Sequence, residues 1–114
     1  MRFSGIVKSG KSRGKAMGFP TANMPAPSMI PDGIYIGLAN KKPALIFIGA
    51  SETFNDHDRH AEVYILDFMG NLYGHGIEVE IIKKIRNNMK FNTREQLIDR
   101  MKLDEAEARA YFKI

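Results

Sequence analysis

The chain contains no cysteine, so disulfides and thiolate chemistry are excluded, as suits a reducing, cytoplasmic setting. It has no tryptophan, and only 10% of its residues are aromatic, which is thin for a surface that stacks bases. No apolar run is long enough to span a bilayer. The opening MRFSGIVKSGKSRGKAMG lacks the apolar core of a signal peptide, so no membrane partner is expected. GxGxxG does not occur, which removes one of the common phosphate loops. Internal repeats and low-complexity tracts are absent as well.

What is present fits one folded domain over residues 1–114, since 44% hydrophobic content with mixed charge is globular in kind. The formal charge of +4 is modest; it suits a phosphate-bearing ligand, and nucleic acid equally well. Its distribution is uneven. Arg2, Lys8, Lys11, Arg13 and Lys15 fall within residues 1–15 with no acid among them, and glycines are interleaved with them. Such a segment is either a solvated surface or a loop whose free N–H groups and cations receive an anion.

Period-two patterning dominates. FSGIVKSG, GIYIGLAN, PALIFIGA, AEVYILDF and GIEVEIIKKIR read as strands, with NKK a short turn and MGNLYG a tight one tipped by Gly70 and Asn71. MPAPSMIPDG reads as a stiff proline-fixed loop, and SETFNDHDRH as a polar loop. Only TREQLIDRMKLDEAEARAYF has helical spacing, through Leu97, Ile98, Met101, Ala108, Tyr111 and Phe112. Thr93 with Gln96 predicts a capping box, and Asp104 with Glu107 a second, where the helix is expected to restart. About six close-spaced strands followed by helix predict an antiparallel barrel or sandwich, the helix packing outside it or over one mouth.

Two constellations bear on chemistry. His57 and His60, at i, i+3 beside Asp56 and Asp58, form at best a weak metal pair in a loop. In GFPTAN, Thr21 and Asn23 stand at i, i+2, and on an extended segment both side chains share a face. They then offer two neutral oxygens to Mg²⁺ whose shell is completed by a nucleotide's phosphates. The alternative is that they brace a turn around Pro20.

GIVKSGKSRGKAMGFPTANM resembles the nucleotide-loop signature of riboflavin kinases (flavokinases), including the kinase module of bifunctional riboflavin kinase/FAD synthetases, and PTAN is its most specific mark. DGIYIG, AEVYILDF with LYG, and IRNNMKF with LIDRM and Asp104 resemble later segments of that family in order. The resemblance implies a six-stranded antiparallel Greek-key β-barrel with a C-terminal helix. It also implies transfer of the γ-phosphate of ATP to the ribityl 5′-hydroxyl of riboflavin, with FMN as product. The site residues it implies are Glu62 as the catalytic carboxylate and Gly10, Lys15, Gly18, Pro20, Thr21 and Asn23 around the nucleotide. Thr21 and Asn23 would hold Mg²⁺ or another divalent cation, and Arg86 and Phe91 would lie on the flavin side. Riboflavin and ATP are thus the expected partners of a monomer, with no nucleic acid. No adenylyltransferase half is matched, so FMN and not FAD is expected. Ser12, Phe47 and Glu52 depart from the family pattern, at a glycine, an asparagine and a proline, and NNM replaces a more acidic stretch. These departures keep open a catalytically weak flavin- or nucleotide-binding barrel. A small basic nucleic-acid-binding barrel is the other reading.

Overall fold

Alternating side chains give each strand two faces, and here both faces of the central strands are buried. In the computed structural model, residues 1–8, 21–50, 59–68 and 74–114 are described. The strands are β1 (Arg2–Ile6), β2 (Ala22–Pro25), β3 (Gly33–Ala39), β4 (Lys42–Gly49), β5 (His60–Ile65) and β6 (Gly76–Arg86), followed by helix α1 (Arg94–Phe112). All strand pairs are antiparallel, in the order β1-β6-β3-β4-β5-β2. The two edge strands are sequence neighbours. A bridge between Lys8 and Asn23, with Lys8 N–H donating to the Asn23 carbonyl at 2.7 Å, nearly closes the sheet into a Greek-key barrel.

The barrel interior is filled by Met24, Tyr35, Ala44, Ile46, Ile48, Ala61, Val63, Ile77 and Val79. The opposite faces of β3 and β4 present Ile34, Ile36, Leu45 and Phe47 outward, where Ala108 and Phe112 of α1 cover them. The helix therefore packs on the outside of the barrel, the first of the two expected placements. Tyr35 points inward, and its hydroxyl donates to the Pro31 carbonyl at 2.6 Å. Burial pushes that hydroxyl's pKa up, keeping it a donor. Gly37 also faces the interior: a Cβ there would lie 2.2 Å from the Glu80 carbonyl oxygen, so only glycine admits β6 this closely.

Connections follow local chemistry. Asn40 and Lys41 both have positive φ, 49° and 67°, as a two-residue primed hairpin turn requires. The proline-rich crossing from β2 to β3 is ordered as expected. Its Ile30 joins the interior, and Arg59 clamps it through Asp32 and the carbonyls of Pro27 and Ile30.

The helix corrects two expectations. It runs unbroken through Asp104, so there is no restart and no second cap. Asp104 is instead 3% exposed, because Arg86 grips it in a two-pronged pair at 2.8 and 2.6 Å. The buried stripe is Leu97, Asp104 and Ala108, while Tyr111 is 47% exposed and meets the Phe112 ring edge-on. At the start, Thr93 caps the Gln96 N–H as predicted, but the Gln96 side chain accepts from Asn92 N–H, one residue before the cap. Two register irregularities between β3 and β6 let consecutive residues, Ile85 and Arg86, both serve the helix side.

Replacing Asp104 by alanine leaves the Arg86 guanidinium buried without its carboxylate. We expect a loss of about 3–5 kcal/mol in urea unfolding. The double variant Asp104→Leu with Arg86→Met should lose less than either single change, because the more buried charge goes with its partner and Arg100, 3.4 Å from Asp104, is 33% exposed and still reaches water. Equal or greater loss in the double variant would argue against the pair as the cause.

Candidate functional site

The strand registers bring the sequence-predicted residues into one line. Arg86 pairs with Ile34, Ile34 with Phe47, Phe47 with Glu62, and Glu62 with Asn23. Residues in such a lateral row share a sheet face. Ile34 and Phe47 belong to the outer, helix-side cluster, so Glu62 and Asn23 lie on the outer face of the barrel. The row crosses five strands, so Glu62 and Arg86 stand three strands apart, about 14 Å measured along the curved sheet at ordinary strand spacing. Lys8 extends the row past Asn23 through the closing bridge.

Glu62 is the centre of this face. Its side chain is only 3% exposed, far from the solvated strand glutamate that alternation alone would suggest. The Thr21 hydroxyl donates to Oε1 at 3.1 Å. The His60 ring reaches Oε2 through Nε2 at 3.0 Å. Thr21 lies just before β2 and His60 opens β5, so backbone pairing between these strands fixes both donors beside the carboxylate.

His60 was expected in a polar loop with His57. It is instead the first residue of β5, and its i, i+2 spacing from Glu62 places the two on one face. His57 lies outside the described residues, and among the described residues no group of three or more His, Cys, Asp or Glu could hold a metal ion. Spacing from Glu62 was the signal that could have singled out His60. It was obscured because the preceding residues are polar and read as loop.

Asn23 pairs directly with Glu62, which puts their Cα atoms about 5 Å apart. Asn23 is 9% exposed, and its buried Nδ2 has no hydrogen-bond partner among the described residues. An orphaned amide beside a buried carboxylate is costly unless something completes it. The donor set fits a hard dication. A Thr21 hydroxyl that gives its proton to Glu62 keeps lone pairs for a cation, and the Asn23 amide offers a neutral oxygen.

On the other flank, each Arg86 guanidinium nitrogen donates within the protein, two to Asp104 and one to the Asn87 carbonyl. Arg86 thereby ties α1 and the segment after β6 to the barrel. Asn88 Nδ2 donates to the Ile48 carbonyl at 3.0 Å and lies where a Cβ on Gly49 would be, 2.5 Å away; Gly49 also has φ +143°. Phe91, half-buried, follows in that segment just ahead of α1. Tyr64, two residues after Glu62, donates to Glu105 Oε1 at 3.2 Å. Burial raises its hydroxyl pKa, and Glu105 raises it further. Beyond it, Arg109 bridges Asp67 and Glu105, and its hydrogen bonds hold the exposed Asp67 carboxyl below its usual range. Gly10, Lys15, Gly18 and Pro20, with Ser12 and Glu52, lie outside the described residues.

Comparison with known proteins agrees with this layout. Residues 1–112 match the family model for flavokinase, riboflavin kinase. The bifunctional riboflavin kinase/FMN adenylyltransferase of Escherichia coli (strain K12) is 36% identical over 116 residues, which cover 96% of this chain and 37% of that protein. The protein of the same name from Bacillus subtilis (strain 168) is 34% identical over 118 residues, covering 95% and 37%. The chain thus spans a little over a third of the length of these curated relatives. A crystal structure of a macrolide-efflux protein from Streptococcus pneumoniae superposes with a TM-score of 0.82 at 32% identity, over 95% of this chain and 38% of that one. Among the described residues no helix is long and apolar enough to cross a membrane. With the barrel, its outer helix and the PTAN-to-glutamate pairing all in register with a match over nearly its full length, the chain belongs to the riboflavin kinase (flavokinase) family.

Proposed function

We propose that this chain transfers the γ-phosphate of ATP to the ribityl 5′-hydroxyl of riboflavin, giving FMN and ADP. The observation that carries the reading is the buried Glu62 carboxylate, held by Thr21 and paired in register with Asn23, in a chain of this family. Family membership also favours this reading over a nucleic-acid-binding barrel.

Phosphoryl transfer asks for placement and charge stabilisation more than for covalent help from the protein. Thr21 Oγ and Asn23 Oδ1 would hold Mg²⁺ or another divalent cation, which supplies charge neutralisation at the nucleotide phosphates. Glu62 accepts a hydrogen bond, and then the proton, from the riboflavin 5′-hydroxyl. A carboxylate is a weak base for an alcohol, so its larger contribution is to aim the hydroxyl oxygen at phosphorus. Low exposure keeps competing water from the carboxylate. Phe91 supplies an apolar wall to the flat flavin. Arg86 serves the flavin side by fixing α1 and the segment that carries Phe91. The basic, glycine-rich run with Gly10, Lys15, Gly18 and Pro20 receives the phosphates.

Incubation of the 114-residue chain with riboflavin, ATP and Mg²⁺ should yield FMN and ADP in equal amounts, resolved by chromatography, with no FAD. Absence of FMN from folded protein, or FAD from the pure chain, would defeat the proposal.

A further inference from the structure

We propose that His60 is a positioning residue for the Glu62 carboxylate, an inference that rests on the acceptor role of Glu62 given above. The site residues proposed so far leave His60 without a task, yet its geometry is specific. Its side chain is 17% exposed, its Nε2 lies 3.0 Å from Glu62 Oε2, and the Phe47 ring is tilted against it at 6.0 Å between centroids. Phe47 in turn is Glu62's register partner on β4. The imidazole is thus set between an aromatic ring and the carboxylate it bonds.

The acceptor role of Glu62 sets the direction of that bond: a carboxylate that accepts from both neighbours needs the hydrogen on Nε2. With Thr21 donating to Oε1 and His60 to Oε2, rotation of the carboxylate about its terminal bond is opposed from both sides. In the acceptor role given above, the carboxylate so aimed receives the substrate hydroxyl. The bond thus acts on the aim of the carboxylate, the larger part of its contribution.

Removing His60 should therefore affect turnover and not substrate binding. His60→Ala should lower kcat about tenfold, with the KM values for riboflavin and Mg·ATP within about twofold of wild type. His60→Gln places an amide N–H near the position of Nε2 and should restore kcat to within about threefold. A side chain needed only for packing would not be rescued in this way. Thermal melts of both variants identify the folded fraction to which kcat is referred. A long-range ¹H–¹⁵N spectrum of the wild-type protein should show His60 as the Nε2–H form, and Glu62→Ala should release that proton to faster exchange. Wild-type kcat in His60→Ala beside an inactive Glu62→Gln overturns this inference alone, as does His60→Gln no better than alanine, or an Nδ1–H form. Full turnover in Glu62→Gln instead removes the acceptor role, and the inference with it.

Discussion

Glu62→Gln should cut FMN formation by about 10²–10⁴-fold while leaving both substrates bound, since general-base and aiming contributions of one side chain are of this size. The amide keeps the shape of the carboxylate but has one acceptor oxygen. If that oxygen keeps the Thr21 hydroxyl, the amide nitrogen faces His60 Nε2, and the ring must offer a lone pair there in place of its hydrogen. If the oxygen keeps the His60 N–H instead, the amide nitrogen faces the Thr21 hydroxyl, and neither arrangement leaves the two-oxygen acceptor that aims the 5′-hydroxyl. Stability should move the other way. A neutral amide is easier to bury than a carboxylate at 3% exposure, so the melting temperature should hold or rise. Single-turnover assays beside melting curves check both halves. Wild-type turnover rules Glu62 out as the acceptor, and a lowered melting temperature with normal turnover would mark it as structural.

How much of this could be read from residues alone depended on the distance over which each signal acts. The strands of GIYIGLAN, PALIFIGA and GIEVEIIKKIR were legible because their apolar period is local. The face chosen by each residue was less so. Alternation sets Ile34 and Ile36 against Tyr35, but it cannot tell that α1 makes the outer face of β3 apolar, or that Tyr35 turns inward. Asp104 shows the same limit more sharply. With Glu107 three residues on, it carries the local mark of a helix start, and only the Arg86 partner on β6 explains an aspartate in the middle of a buried stripe. Glu62 reads locally as a solvated strand residue. Its burial comes from a neighbouring strand that the sequence shows merely as an extended PTAN. The family resemblance named Thr21, Asn23 and Glu62 as site residues, and only the structure pairs them, because the two segments lie some forty positions apart. It did not supply His60, which local spacing offered only as half of a weak pair with His57.

Asn23→Ala and Thr21→Ala should weaken Mg·ATP binding about tenfold or more and lower kcat at saturating nucleotide, while riboflavin affinity stays within a few-fold. The two side chains have different second duties, and this separates the metal reading from a turn brace. Asn23 Nδ2 is buried without a hydrogen-bond partner among the described residues, so alanine there removes an unsatisfied group. Its melting temperature should be unchanged or higher, because an orphaned buried donor is itself destabilising by about 1–3 kcal/mol. Thr21 donates to Glu62, so Thr21→Ala should cost about 1–2 kcal/mol and also free one side of the carboxylate, giving the larger fall in kcat of the two. Thr21→Ser keeps the hydroxyl and should behave nearly as wild type. A brace around Pro20 makes the opposite demand: Asn23→Ala would then lose stability, with near-normal nucleotide affinity in the folded fraction. Calorimetric titration of Mg·ATP into each variant, read beside its melting curve, decides between them. Unchanged affinity with a lowered melting temperature in Asn23→Ala would return the PTAN segment to a purely structural role.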